Sequence, residues 1–214
     1  MPVLGITGGI ATGKSSFVEA LRGHLPAALF DADATVHELL AGDPQIQAAI
    51  RESFGPEVLQ PNGQPDRLKL RALVFQEPAR RAQLEAILHP AVRERWQAQA
   101  AAHRAGGTQA SLPASQSSSA SDWLYVDIPL LFETAAQEHF DQVVVVACSA
   151  ATQRARMRDK RALNEAIIEN IIGAQHDLGQ KMNLADHVIW NDSTVSCLDG
   201  QARLLAGWLR NYHV

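Results

Sequence analysis

Gly8-Gly9-Ile10-Ala11-Thr12-Gly13-Lys14-Ser15 decides how this chain reads. The stretch fits G-x-x-x-x-G-K-[ST], a loop that wraps a phosphate group. Before it, Val3-Leu4-Gly5-Ile6-Thr7 is a short apolar run that reads as a buried strand. After it, Phe17, Val18, Leu21 and Leu25 recur on one helical face. The motif thus lies between a strand and a helix, the setting its chemistry needs. Glycines let successive backbone N–H groups turn around an anion. The helix N-terminus adds a partial positive charge. The expected nucleotide-phosphate contacts are Gly8, Ala11, Thr12, Gly13, Lys14, Ser15 and Ser16. Lys14 is expected to reach the β- and γ-phosphates, and the Ser15 hydroxyl to ligate Mg²⁺.

The chain has 214 residues, 46% of them hydrophobic, which suits one large α/β domain or a core with an inserted lobe. Its formal net charge of −4 argues against broad nucleic-acid binding. No apolar run reaches the ~18 residues of a membrane span. The first strand starts at once, leaving no room for a signal peptide. Cys148 and Cys197 show no paired spacing and read as free thiols of a reducing, cytoplasmic compartment, Cys148 in the core.

Outward from the loop, strands alternate with helices. Leu25-Pro26 stops the first helix, and Ala27-Ala28-Leu29-Phe30 reads as a second strand running into Asp31-Ala32-Asp33. Trp123 to Ile128, Gln142 to Cys148 and His187 to Trp190 read as three more strands, the second of them buried on both faces through Val143 to Val146. This alternation predicts a five-stranded parallel sheet flanked by helices, with right-handed crossovers. A long helical tract interrupts it at about 36–103. Asp43 and Asp66 read as helix N-caps there, with Pro78 and Pro90 each opening a separate helix, the first ending at Leu88. Residues 104–122 carry six serines between Ser111 and Ser121 and read as a solvated linker. The expected division is a core of about 1–35, 123–150 and 184–214, a helical lobe of 36–103, and a lid of about 151–183.

Three charged groups bear on chemistry. Asp31 and Asp33 follow the second strand directly, at the sheet end where ligands bind, so one of them is a candidate base for an acceptor hydroxyl. The competing role for Asp33 is a helix cap. Asp127, near the end of the third strand, is either an acid that helps hold Mg²⁺ or a turn residue. The basic run Arg154, Arg156, Arg158, Lys160 and Arg161 is either a solvated helix face or a lid that closes over transferring phosphate oxygens.

Further segments carry a family resemblance. They are Asp31-Ala32-Asp33, Phe54-Gly55, Asp66-Arg67, Val74-Phe75, His89-Pro90, Pro129-Leu130-Leu131-Phe132-Glu133, Gln175, Lys181, Ala185-Asp186 and Asn191, with the phosphate loop. In this order the chain resembles the dephospho-coenzyme A kinases across nearly its whole length. The resemblance implies a P-loop NTPase fold with an inserted helical acceptor lobe and a lid. It implies transfer of the ATP γ-phosphate to the ribose 3′-hydroxyl of dephospho-coenzyme A, with Asp33 as base. It makes Asp33, Arg67 and His89 acceptor contacts, and Lys14 and Arg156 catalytic cations. Where the family often has arginine, His37 and Lys160 stand here, which leaves Arg158 or Arg161 as alternatives for the second lid cation. Other readings are a different small-molecule kinase, or a GTP-dependent switch. The switch lacks its usual Asn-Lys-x-Asp stretch here.

Overall fold

Four consecutive valines, Val143 to Val146, have almost no solvent exposure and lie within β4 (Gln142–Ala147). β-branched side chains favour the extended chain, and a strand covered on both faces needs no polar alternation. Around β4 the computed structural model, which describes residues 1–106, 122–161 and 164–212, builds one sheet. Its other strands are β1 (Val3–Gly8), β2 (Ala28–Asp31), β3 (Leu124–Asp127) and β5 (His187–Trp190), in the order β2-β3-β1-β4-β5. β1 pairs in parallel with β3 and β4, and β4 pairs in parallel with β5. This is the doubly wound parallel sheet that the alternating pattern predicts.

Two helices cover one face. α1 (Lys14–His24) and α9 (Val195–Arg210) pack together over the sheet. Phe17 and Leu21 of α1 join Leu198, Ala202 and Leu205 of α9 over Leu4, Ile6, Val144, Val146 and Tyr125. The Tyr125 hydroxyl is not orphaned by burial: it donates to the Leu25 carbonyl at 3.0 Å. Carboxylates fix where strands begin. Asp141 accepts from the Val3 N–H and Asp186 from the Val143 N–H, both at 2.7 Å. At the far edge of the sheet the Gln201 side chain takes both backbone groups of Trp190, each at 2.9 Å.

The chain divides into two compact units. One holds residues 1–30 and the described residues from 100 onward; the other holds Asp31–Gln99. The second unit is helical: α2 (Ala32–Gly42), α3 (Pro44–Phe54) and α4 (Arg67–Gln76), followed by most of α5 (Pro78–Arg104). Asp31, Asp43 and Asp66 cap α2, α3 and α4 with their side chains, the role short acceptors play for orphan N–H groups.

α5 differs from the sequence expectation. It is one helix of 27 residues with Pro90 inside it, not two. Proline removes a backbone bond and costs ~3 kcal/mol in a helix interior. Leu88, Val92, Trp96 and Ala100 continue one buried stripe past it, and each large apolar side chain buried contributes about 1.5–3 kcal/mol. Burial wins.

In the sheet unit, β4 leads into α6 (Ala150–Arg161), α7 (Glu165–Ile172) and α8 (Leu178–Leu184). Asn164 caps α7, which stops at Ile172 with Gly173 following. α8 was not foreseen: Asp177 caps it, but Gly179 and its seven-residue length weaken the pattern. Of the stretch 104–122 expected to be a solvated linker, residues 107–121 lie outside the described residues, and Arg104 is the last residue of α5.

Candidate phosphate site and helical acceptor face

The phosphate loop joins β1 to α1, and its backbone cannot hold this path without help. Gly13 has φ 92° and Ala11 φ 59°. A non-glycine residue held there costs on the order of 1–3 kcal/mol and persists only where its surroundings fix it. Gly13 is required for space as well, since a Cβ would run into the Asn191 amide nitrogen. As N-cap of α1, Gly13 offers no side-chain cap. The N–H groups of Lys14, Ser15 and Ser16 therefore have no intrahelical acceptor, which is the electropositive end an anion needs. Ser15 and Ser16 are exposed.

Side chains from distant elements tie down the loop. Gln153 of α6 donates to the Ile10 carbonyl at 2.7 Å, and Gln175 accepts from the Ile10 N–H at 3.0 Å. Arg156 of α6 donates to the Thr12 carbonyl at 3.1 Å, to the Ala11 carbonyl at 3.4 Å and to the Asn191 carbonyl at 2.8 Å. Asn191, just past β5, donates its amide to the Thr12 carbonyl at 2.8 Å. Thr12 is fully buried, and its hydroxyl donates to the Gly9 carbonyl at 2.9 Å.

Lys14 Nζ is ion-paired to Asp127 Oδ1. Asp127 is only 6% exposed at the last residue of β3. Its carboxylate balances the loop lysine, a partnership that neither sequence reading of Asp127 included. Just beyond, a second buried pair braces the segment after β3. Lys181 Nζ, with no exposure, lies 2.7 Å from Glu133 Oε1 and donates to the Pro129 carbonyl at 3.3 Å. The Thr7 hydroxyl donates to that same carbonyl at 3.1 Å.

The basic run of α6 separates by helical position. Arg154 pairs with Glu169 of α7 at 2.7 Å, Arg156 grips the loop, and Arg158 is exposed. The side chains of Lys160 and Arg161 lie outside the described residues. Cys148 is buried beside this region. Burial pushes its thiol up from the ordinary value, against the pull of Arg156, so it is kept from being a nucleophilic thiolate.

The remaining expected site residues belong to the helical unit. Asp31, not Asp33, is the N-cap of α2: its Oδ1 accepts from the Ala34 N–H at 2.9 Å. Asp33 is exposed in the first turn, and among the described residues nothing bonds its carboxylate. His37 follows one turn later, and Arg67 of α4 contacts its Nε2. Arg67 and Asp33 are thus linked through one helix face. His89 is half-buried in the middle of α5, and no hydrogen bond joins it to either among the described residues.

Gln153, Gln175 and Asn191 are the residues that reading the sequence left without a role. The position of Asn191, directly after a parallel strand, was the usable signal. Gln175 was marked only by the family resemblance, and Gln153 gave no signal.

The profile of the dephospho-CoA kinase family matches residues 2–196. This chain belongs to the dephospho-CoA kinase family. Curated dephospho-CoA kinases agree over most of their lengths. That of Symbiobacterium thermophilum is 38% identical over 97% of this chain and 80% of its own. That of Bacillus cereus is 35% identical over 99% of this chain and 98% of its own. Among solved structures, TT1252 from Thermus thermophilus superimposes with a TM-score of 0.71 at 23% identity, covering 99% of this chain and 98% of that one. The Campylobacter jejuni dephospho-CoA kinase gives 0.59 at 20% identity, covering 97% of each. These likenesses bear on the fold; membership in the kinase family rests on the sequence match.

Proposed function

We propose that this member of the dephospho-CoA kinase family transfers the γ-phosphate of ATP to the ribose 3′-hydroxyl of dephospho-coenzyme A, releasing coenzyme A and ADP. The observation that carries the reading is the strand–loop–helix element with Lys14 and the open N-terminus of α1. There, backbone N–H groups and one ammonium collect at a single point, as charge on a transferring phosphoryl group requires.

The residues divide the work. The loop N–H groups bind and orient the nucleotide phosphates. Lys14 exchanges Asp127 for phosphate oxygens when the nucleotide arrives. Asp33 accepts the proton of the acceptor hydroxyl, a role its unbonded carboxylate leaves open. Arg67 and His89 hold the acceptor in the helical unit, and α6 to α8 serve as the lid, with Arg156 at its base. The donor set suits Mg²⁺: hard oxygens from Ser15 and Asp127, with no group of three or more His, Cys, Asp or Glu placed for a metal among the described residues. Such a cation keeps water and substrate phosphates as its other ligands and, when bound, neutralises phosphate charge. Two unpaired cysteines fit a reducing compartment, and we place the reaction in the cytoplasm.

Incubation with ATP, Mg²⁺ and dephospho-coenzyme A should yield coenzyme A by mass, with ATP consumed only when the acceptor is present. Acceptor-independent turnover of GTP, with no coenzyme A formed, would overturn the reading in favour of a switch protein.

A further inference from the structure

Ile10 is the one loop residue whose N–H and C=O are both held by side chains, and the two holders must present opposite faces. An N–H only donates, so Gln175 must offer its amide oxygen. A carbonyl only accepts, so Gln153 must offer its nitrogen. The bonds are 3.0 and 2.7 Å. They join residues 165 and 143 positions apart in the chain. Gln153 is 6% exposed, and its amide nitrogen lies 2.9 Å from where a Cβ on Gly9 would sit. Gly9, which the motif leaves variable, therefore makes room for this side chain.

Peptide geometry gives the pair its effect. There are no cis bonds among the described residues, and in a trans peptide the C=O and the following N–H point in opposite directions. Gln153 holds the Ile10 carbonyl, Arg156 the Ala11 carbonyl, and Arg156 with Asn191 the Thr12 carbonyl. With these three carbonyls taken by α6 and the residue after β5, the N–H groups of Ala11 and Gly13 turn the other way, while that of Thr12 turns back to the Gly9 carbonyl at 3.4 Å. Gln175 occupies the Ile10 N–H and so fixes the peptide before them.

We propose that Gln153 and Gln175 are positioning residues that set the phosphate loop in its anion-receiving form before nucleotide binds, each through one obligatory hydrogen-bond polarity. This rests on the proposed reading only in that the loop binds nucleotide phosphate.

Replacing either glutamine by glutamate adds the same charge next to the same residue. At 175 the carboxylate still accepts from Ile10. At 153 it cannot donate, and it faces a carbonyl. ATP affinity, measured by titration calorimetry on the full chain without acceptor, should fall at least tenfold further in Gln153→Glu than in Gln175→Glu. Equal losses, or a larger loss at 175, overturn the proposal. Gln153→Met guards against a variant that fails to fold: it keeps the chain length, adds no charge and removes the amide donor. About a fivefold weaker ATP affinity with an unchanged urea midpoint is expected, and unchanged affinity overturns the proposal. These readouts stand apart from the reaction itself. A wild-type protein that binds ATP but forms no coenzyme A defeats the functional reading and leaves this test in force.

Discussion

Lys14 and Asp127 form an ion pair at the mouth of the phosphate loop, with side chains only 13% and 8% exposed. The lysine that the motif reserves for phosphate is thus held by a carboxylate from β3. Removing it has two separable effects. Lys14→Ala should lower turnover at least ~10²-fold, as loss of a transition-state donor does. It should also lower the urea midpoint, because a carboxylate left without its cation in a buried place is costly. Lys14→Ala combined with Asp127→Asn should recover stability and not turnover. A double variant as unstable as Lys14→Ala would show that the pair is not what couples them.

Asp33→Asn should leave ATP binding intact and cut coenzyme A formation by the ~10²-fold or more expected for a lost general base. Because Asp31 caps α2, Asp33 has no capping duty to confound the result. Asp31→Asn is the control: asparagine caps nearly as well as aspartate, so its rate loss should be smaller. A reversed order in steady-state kinetics would move the base to Asp31.

Arg156→Ala should raise the KM for ATP as well as lower kcat, because this guanidinium holds loop carbonyls before any charge develops. Arg156→Lys should recover little, since a point charge cannot span the carbonyls of Thr12 and Asn191 as a planar fork does. A fall in kcat with unchanged KM would mean that Arg156 acts only in the transition state.

Lys181→Met should be among the most destabilising single changes. It leaves Glu133 without its cation; breaking such buried pairs costs about 3–5 kcal/mol. Lys181→Met with Glu133→Leu should return most of that loss in urea unfolding, since replacing both members with apolar groups is often near neutral.

His187 makes the fold acid-sensitive. Its Nε2 meets Gln142 Oε1 at 3.0 Å and its ring meets Trp208 edge-on. Burial holds its pKa below the ordinary 6.5, with Asp186 opposing. The unfolded chain then takes up a proton first as pH falls below about 6.5, so stability falls through that window and levels off below the folded pKa. His187→Gln should flatten the slope of urea midpoint against pH there.

The strand–loop–helix element was legible because its signals are local: a run of apolar residues, glycines at fixed spacing, then a 3.6-residue period. Val143 to Val146 declared a buried strand for the same reason. Pro90 misled because a local helix-breaking rule was outweighed by packing along Leu88, Val92 and Trp96, which no window of sequence displays. Asp31 and Asp33 were legible as a pair of acids following the second strand. Which one caps the helix depended on where β2 ended and α2 began, a difference of two residues. The family resemblance marked Gln175 and Asn191 without giving them a role, and Gln153 not at all, since nothing in the sequence around a glutamine says which peptide it will meet some 150 residues away.

Trp190 and Val188 stand 45% and 43% exposed on the outermost strand of the sheet. An apolar edge of this kind invites a strand from another chain to add on. Gln201 answers that hazard from within the fold, since its amide already mimics a neighbouring peptide on the N–H and C=O of Trp190. An incoming strand must first evict it. At Trp190, then, this border is guarded by an uncharged side chain of α9, where charges or prolines more often guard a sheet.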